Sequence, residues 1–317
     1  MRGESLMFVE GPDGGATASL LFPPGPGLSL TSATGEATYE EGRDYAVDIV
    51  EGSVRRLQRS RVPVTSRDEL SRLIAAEDDG FHRRQVSATY QHSGGLWTGD
   101  VPARAAAALE RTGQRLRRSA PLAICLTGDS ISEGYNASGF IGAPPYQPAY
   151  GELVAAGLER ATGSRVTFHN CAVAGWTADH GLADVERVAA ASPDLVIVAY
   201  GMNDAGYADA ADFAANIAAL MNEVRVSRPR AEFVLVSPML PSPDCDFVVM
   251  ERFPAYRDAL AQLCGEGVVL ADMTTLWVDL LARKSPYDLT GNGLNHPNDF
   301  GHRLYAQMIL ALLTGER

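Results

Sequence analysis

Ser130 closes the run "LAICLTGDS" and His296 stands in "GNGLNHPNDFGH"; between them come Gly175 in "AVAGWTADHG" and Asn203 in "YGMNDAGY". A hydroxyl, an imidazole and amide donors are the parts that acyl transfer needs: a nucleophile, a base to take its proton, and hydrogen bonds for an oxyanion. Taken singly, each residue has an ordinary use. Gly-Asp-Ser suits a turn or an N-cap, Gly175 suits a turn, and Asn203 suits an Asx turn. His296-Pro297 reads as loop, with Asp299 the expected cap of the helix that follows. Their chemistry depends on whether the chain brings them together.

The elements that would do so begin at residue 121. Apolar strand-like runs at 122–126, 165–173, 194–200, 231–237 and 267–273 alternate with amphipathic helical stretches, the last opening at 299. Five buried strands separated by helices predict an α/β domain built on a five-stranded parallel sheet covered on both faces. Right-handed crossovers then put the strand C-termini on one edge. Ser130, Gly175 and Asn203 follow three of these strands, and His296 precedes the last helix, so the four converge on that edge.

The first hundred residues have a different rhythm. Short strand-like runs broken by Gly, Pro and Asp-rich turns predict a small β-sandwich, with "DIVEGSVRRL" as a hairpin. Helical periodicity is weak until 100–118. The expected organisation is a β-sandwich-like accessory domain at 1–100, a connecting helix or linker at 101–120, and a catalytic domain at 121–317.

Apolar residues make up 46% of the chain and charged residues 21%, the profile of a globular protein, and the formal net charge is −12. That charge repels phosphate backbones, which excludes nucleic acid as an expected partner. No run approaches the about eighteen apolar residues of a membrane span. With no signal-peptide pattern at the start, a cytoplasmic location is expected. The four cysteines form no CxxC and read as small core residues. Neither HExxH, GxGxxG nor a Walker loop occurs, so no metal and no cofactor are expected.

Residues 121–317 resemble the SGNH, or GDSL, hydrolase superfamily. "GDSIS" is similar to its first block, "NCAVAGWT" to its second, "GMND" to its third and "NHPNDFGH" to its last. The resemblance implies a flavodoxin-like three-layer α/β/α domain and a serine esterase or acyl-hydrolase. Carbohydrate O-acetyl esterases of this superfamily carry an appended β-sandwich, which the N-terminal region resembles. On this chain the expected nucleophile is Ser130 and its base His296. The expected oxyanion donors are the backbone N–H groups of Ser130 and Gly175 and the side-chain amide of Asn203. Glycine at 175 suits a backbone that must come close to substrate.

The chain departs from the family pattern at Gly293, where many members place an aspartate three residues before the histidine. Asn292, through its carbonyl oxygen, and Asp288, by folding back, are the side chains expected to be able to orient His296. An asparagine in place of a triad aspartate favours the wrong tautomer and costs about ten-thousandfold. The expectation is therefore a Ser-His dyad whose ring is held by a backbone carbonyl. Tyr135 and Tyr146, in a Tyr- and Pro-rich stretch, and Trp176, beside the oxyanion glycine, are candidate substrate contacts. Trp277 and His302 read as structural. No long apolar lid is evident, which points to a short acyl group, acetyl above others, on a carbohydrate or glycosylated small molecule. The alternatives are an acyltransferase or a lysophospholipase-type esterase using the same site, or a non-catalytic carbohydrate-binding relative.

Overall fold

The computed structural model describes residues 1–74, 79–92, 99, 105 and 107–315. Up to residue 92 the elements are β1 (Glu4–Met7), β2 (Thr17–Ser19), β3 (Ser29–Ser32), β4 (Thr38–Tyr39), β5 (Tyr45–Asp48), β6 (Ser53–Arg56), α1 (Arg67–Ile74), α2 (Gly80–Arg84) and β7 (Gln85–Thr89). The strands make two antiparallel sheets, ordered β1-β7-β3-β4 and β2-β6-β5. Both sheets close over one core that includes Leu6, Leu30, Val54, Val86 and Tyr90, which is the expected separate β domain. The hairpin is present too: β5 and β6 pair Val47 with Val54 and Asp48 with Ser53.

Two features here differ from the sequence reading. β1 has no polar-apolar alternation, because Glu4 and Ser5 are buried along with Leu6 and Met7. Helices α1 and α2 interrupt what reads as continuous β structure. Ser66 starts α1, its hydroxyl accepting the Glu69 N–H at 3.2 Å. The helix buries only Leu70 fully, too little apolar surface to give a visible period. With Met7 and Phe81 it forms a small separate core that also takes in Ile74 and Tyr287, so this core bridges the two halves of the chain. Of the expected connecting helix, α3 (Glu110–Arg117) is described; residues 100–104 and 106 lie outside the described residues.

The second half runs β8 (Leu122–Gly128), α4 (Ser130–Glu133), α5 (Tyr150–Thr162), β9 (Val166–Asn170), α6 (Ala178–Ala183), α7 (Val185–Ala190), β10 (Leu195–Ala199), α8 (Ala210–Ser227), β11 (Glu232–Val236), α9 (Arg252–Gln262), β12 (Val268–Ala271), α10 (Met273–Leu281), α11 (Pro286–Leu289) and α12 (Asp299–Thr314). The five strands are parallel and lie in the order β12-β11-β10-β8-β9. This is the doubly wound order in which the chain leaves its first strand on one side and returns on the other. Such a reversal opens a crevice at the carboxyl ends of the central strands. β10 and β11 are buried throughout; β10 reads as an unbroken apolar run, and β11 does so after Glu232, whose carboxylate accepts the N–H groups of Arg111 and Thr112. All four cysteines are free thiols, with Cys264 alone partly exposed. No described helix is long and apolar enough to cross a membrane.

The two halves are joined by buried charge. Lys284, between α10 and α11, is fully buried, and its ammonium lies 2.9 Å from Glu4 Oε1 and 3.3 Å from Asp288 Oδ2. It donates as well to the carbonyls of Ser5 and Ser19, at 3.0 and 2.8 Å. Glu4 also accepts the Leu21 N–H at 2.9 Å and the Tyr90 hydroxyl at 2.6 Å. A buried cation needs this degree of satisfaction to persist.

Candidate active site

β8 ends at Gly128, and Asp129 follows in extended backbone. The Asp129 carboxylate accepts the Ile131 N–H at 3.0 Å and so caps α4, the single turn whose first residue is Ser130. An amide at that position has no partner inside its helix. Burial pushes the Asp129 carboxyl up to about 7. The segment 290–298 is fixed at both ends by the bridge between Thr290 and Pro297 and by Asn298, whose side chain accepts the Gly301 N–H at 3.1 Å. Asn298, not Asp299, therefore caps α12. Asp299 already lies in the first turn, and its carboxylate accepts the Ser138 N–H at 2.8 Å. Between these ends stands His296, its Nε2 at 2.9 Å from Ser130 Oγ.

The other two blocks meet at the same edge. Val173 N–H donates to the Gly128 carbonyl at 3.0 Å and Ala174 N–H to Glu133 at 2.6 Å, which ties the second block to the end of β8 and to α4. Gly175 has φ +78°, and a side chain there would meet nothing within 4 Å. Its backbone conformation, not crowding, is what requires glycine. Asn203 donates one amide hydrogen to the Trp176 carbonyl at 2.9 Å, which keeps its second hydrogen available. The neighbouring Asp204 accepts the Ala178 N–H at 2.9 Å, so the third block holds the second in place.

Half-buried His296 has its ring nitrogens against Ser130, Asn136 and Asn292. Burial pushes its pKa down to about 4, and the neighbouring His302 adds to the effect. His302 is itself buried and structural, as expected, and donates from Nε2 to the Tyr135 carbonyl at 3.1 Å.

The side chains expected to orient the imidazole do not do so. The Asn292 carbonyl oxygen is taken by the N–H groups of Leu294, Asn295 and His296, at 2.9, 3.1 and 3.2 Å. It turns its nitrogen to His296 Nδ1, at 3.2 Å. Asp288 faces the β domain, where its carboxylate accepts the N–H groups of Met7 at 2.6 Å and Ser285 at 3.1 Å. Burial raises its pKa, against the pull of Lys284. Gly293, where the family aspartate would stand, has φ +76°, and a Cβ there would lie 2.7 Å from Ile74 and 2.8 Å from Phe81. The helices of the β domain occupy that space. The expected backbone carbonyl is not at Nδ1 either; the oxygen there is Asn136 Oδ1, at 3.0 Å. Sequence reasoning missed Asn136, whose one signal is its place two residues beyond the glycine that ends α4.

Of the candidate substrate contacts, Tyr135 has its ring centroid 5.2 Å from that of His296. Trp176 lies under the Arg187 guanidinium, 5.4 Å from its ring centroid, and stacks on His180. Tyr146 stands 62% exposed on the same loop as Tyr135. That loop is pinned, since Pro144 O accepts from His82 at 2.8 Å and Gln147 donates to the Asp299 carbonyl at 2.8 Å. Trp277 is core, as expected.

No curated protein sequence matches the chain. Among solved structures it is similar to a two-domain esterase (CEX) active on acetylated mannans and co-crystallised with mannopentaose. The identity is 22% and the TM-score 0.52, over 68% of this chain and 55% of that one, so the chain spans about half the length of that relative. It is also similar to a catalytic mutant of Axe2, an acetylxylan esterase from Geobacillus stearothermophilus, at 20% identity and a TM-score of 0.51, over 62% of this chain and 95% of that one. These likenesses are of fold. Residues 126–304, more than half of the chain and inclusive of all four blocks, match a described family. The chain belongs to the GDSL-like lipase/acylhydrolase family.

Proposed function

We propose that the protein is a serine esterase that removes a short acyl group, acetyl above others, from a carbohydrate or glycosylated small molecule. The observation that carries this reading is the 2.9 Å contact between Ser130 Oγ and His296 Nε2 across 166 residues of chain. In this reading Ser130 Oγ attacks the ester carbonyl carbon while its proton passes to His296 Nε2. The carbonyl electron pair moves onto oxygen, where the N–H groups of Ser130 and Gly175 and the free amide hydrogen of Asn203 receive it. His296 then returns the proton to the departing alkoxide. Water repeats the sequence on the acyl-enzyme and frees Ser130. Tyr135, Tyr146 and Trp176 are the aromatic surfaces for a sugar ring. CEX acts on acetylated mannans and Axe2 on acetylxylan, which favours polysaccharide acetyl esters as the class.

The test is release of acetate from acetylated manno- and xylo-oligosaccharides alongside a p-nitrophenyl ester series of rising chain length. Highest kcat/KM for acetyl is expected, falling with length. One observation favours a second reading, a longer apolar acyl group. Val249 N–H donates to the Ala205 carbonyl at 3.0 Å, which sets residues 247–250 beside the turn that follows Asn203. Tyr207, Phe247, Val249 and Met250 are all exposed there. An optimum at octanoyl or beyond would select that reading and discard the acetyl one.

The pH profile follows from the environment of His296. Only a neutral imidazole accepts the Ser130 proton, and a lowered pKa extends the neutral range downward. The acid limb of kcat/KM is therefore expected near pH 4, well below the about 6.5 of an ordinary histidine. Initial rates in constant-ionic-strength buffers from pH 3.5 to 8 would show it, and a limb at pH 6–7 would contradict it.

A further inference from the structure

We propose that Asn136 is the positioning residue that holds His296 in the tautomer able to act as base, in place of the carboxylate the family pattern leads one to expect. The inference deepens the serine-esterase reading and rests on it. A base with a bare Nε2 carries its hydrogen on Nδ1, and that hydrogen needs an acceptor. Two side-chain amides reach Nδ1, and the backbone decides which way each one points. Asn292 has its oxygen engaged by three backbone N–H groups and its nitrogen donating to Asn295 Oδ1 at 3.0 Å, so it offers the Nδ1 hydrogen no acceptor. Asn136 donates from Nδ2 to the Gly291 carbonyl at 3.2 Å, which leaves Oδ1 facing Nδ1 at 3.0 Å. Reversing that amide would set its oxygen against the Gly291 carbonyl oxygen and its nitrogen against Nδ1–H, losing both hydrogen bonds.

An asparagine partner is a poor substitute for aspartate when its amide is free to present nitrogen and favour the wrong tautomer. Here the Gly291 carbonyl removes that freedom. The local chain is shaped for the contact. α4 ends at Gly134, φ +120°, and the N–H groups of Gly134 and Tyr135 both return to the Ser130 carbonyl, at 3.1 and 3.0 Å. Asn136 then adopts φ +62°, a conformation that asparagine tolerates better than most residues. A Cβ on Gly291 would lie 2.6 Å from that of Asn136, so glycine there permits the approach. Nucleophile, turn and positioning amide thus come from one segment of seven residues, 130–136. Through the reaction the Nδ1 hydrogen stays on the ring and is donated to Asn136, while the Ser130 proton travels only to and from Nε2.

The groups that face the ring and can titrate are His302 from α12, Tyr135 from the loop after α4, and Ser130. Asn136, the partner at Nδ1, and the adjacent Asn292 amide are neutral. Placing a carboxylate at 136 therefore gives a readout that a purely structural role would not move. The experiment uses the full-length protein, p-nitrophenyl acetate and a fluorophosphonate probe. N136G keeps the backbone conformation without strain and removes the amide. Its kcat is expected to fall about ten- to a hundredfold with KM changed less than about threefold, at an unchanged circular dichroism spectrum. N136D is expected to recover rate relative to N136G and to raise the acid limb of kcat/KM by about one pH unit or more. Wild-type kcat in N136G, or an acid limb in N136D that coincides with the wild-type limb, would overturn the assignment. A wild-type protein that neither takes the probe nor turns over the ester would instead remove the esterase reading, and this inference with it.

Discussion

S130A is expected to lose hydrolysis of p-nitrophenyl acetate by about five orders of magnitude or more in kcat, and to lose fluorophosphonate labelling altogether. In the proposed mechanism, removing the hydroxyl deletes both the atom that forms the acyl-enzyme and the proton that His296 accepts. The donors at Ser130 N–H, Gly175 and Asn203 would remain, so a residual rate about a thousandfold over water is the floor to expect. Binding should survive. The side chain makes one hydrogen bond, to His296 at 2.9 Å, and its loss leaves no buried charge behind. Single-turnover kinetics and mass spectrometry of the acylated enzyme are the measurements. A variant that still turns over within tenfold of wild type would mean that another group carries the chemistry.

The second large effect lies away from the site. K284M is expected to lower the free energy of unfolding by about 3–5 kcal/mol, because it leaves Glu4 and Asp288 buried without their cation. Truncating one partner of a buried ion pair costs more than the pair contributes, since the desolvated charges that remain have no compensation. The sign of this explanation can be checked with E4Q/K284M, which removes one orphaned carboxylate and is expected to recover part of the loss. Urea unfolding followed by fluorescence gives both numbers. A K284M loss under about 1 kcal/mol would show that water or a rearranged partner reaches the site. The change should also be felt in activity near the melting range. Lys284 pairs with Asp288, and Asp288 O accepts from Asn298, the cap next to the histidine segment.

The centre of the sheet was legible because β10 is buried on both faces and spells an unbroken apolar run, whereas the edge strand β9 is largely exposed and carries Thr167, His169 and Asn170. The parallel orientation with right-handed crossovers puts the strand C-termini on one edge, and with them Ser130, Gly175 and Asn203. The helices α1 and α2 were not legible, because their burial rests on a handful of residues, chiefly Leu70, Phe81 and Ile74, that pack on partners far along the chain. β1 was hidden for a related reason. Its polar residues face inward, and Glu4 is satisfied by a lysine 280 positions away. Nor does spacing reveal Asn136, since its role depends on which way an amide points, and that is set by the carbonyl of Gly291. Asn292 is the asparagine that the sequence offers beside His296, four residues before it. That nearness is what disqualifies it: its oxygen serves the turn that carries the histidine.

The pairing of Glu4 with Lys284 also constrains the order of folding. Those two residues stand 280 positions apart, so β1 leaves the ribosome 280 residues before its counter-ion. During that interval the nascent β domain can offer Glu4 the Tyr90 hydroxyl and the Leu21 N–H but no cation. Contacts of such separation are slow to form, and folding intermediates with unsatisfied interiors are the ones that aggregate. Dividing the chain between β7 and α3 would make that transient state permanent, which argues for producing both parts together.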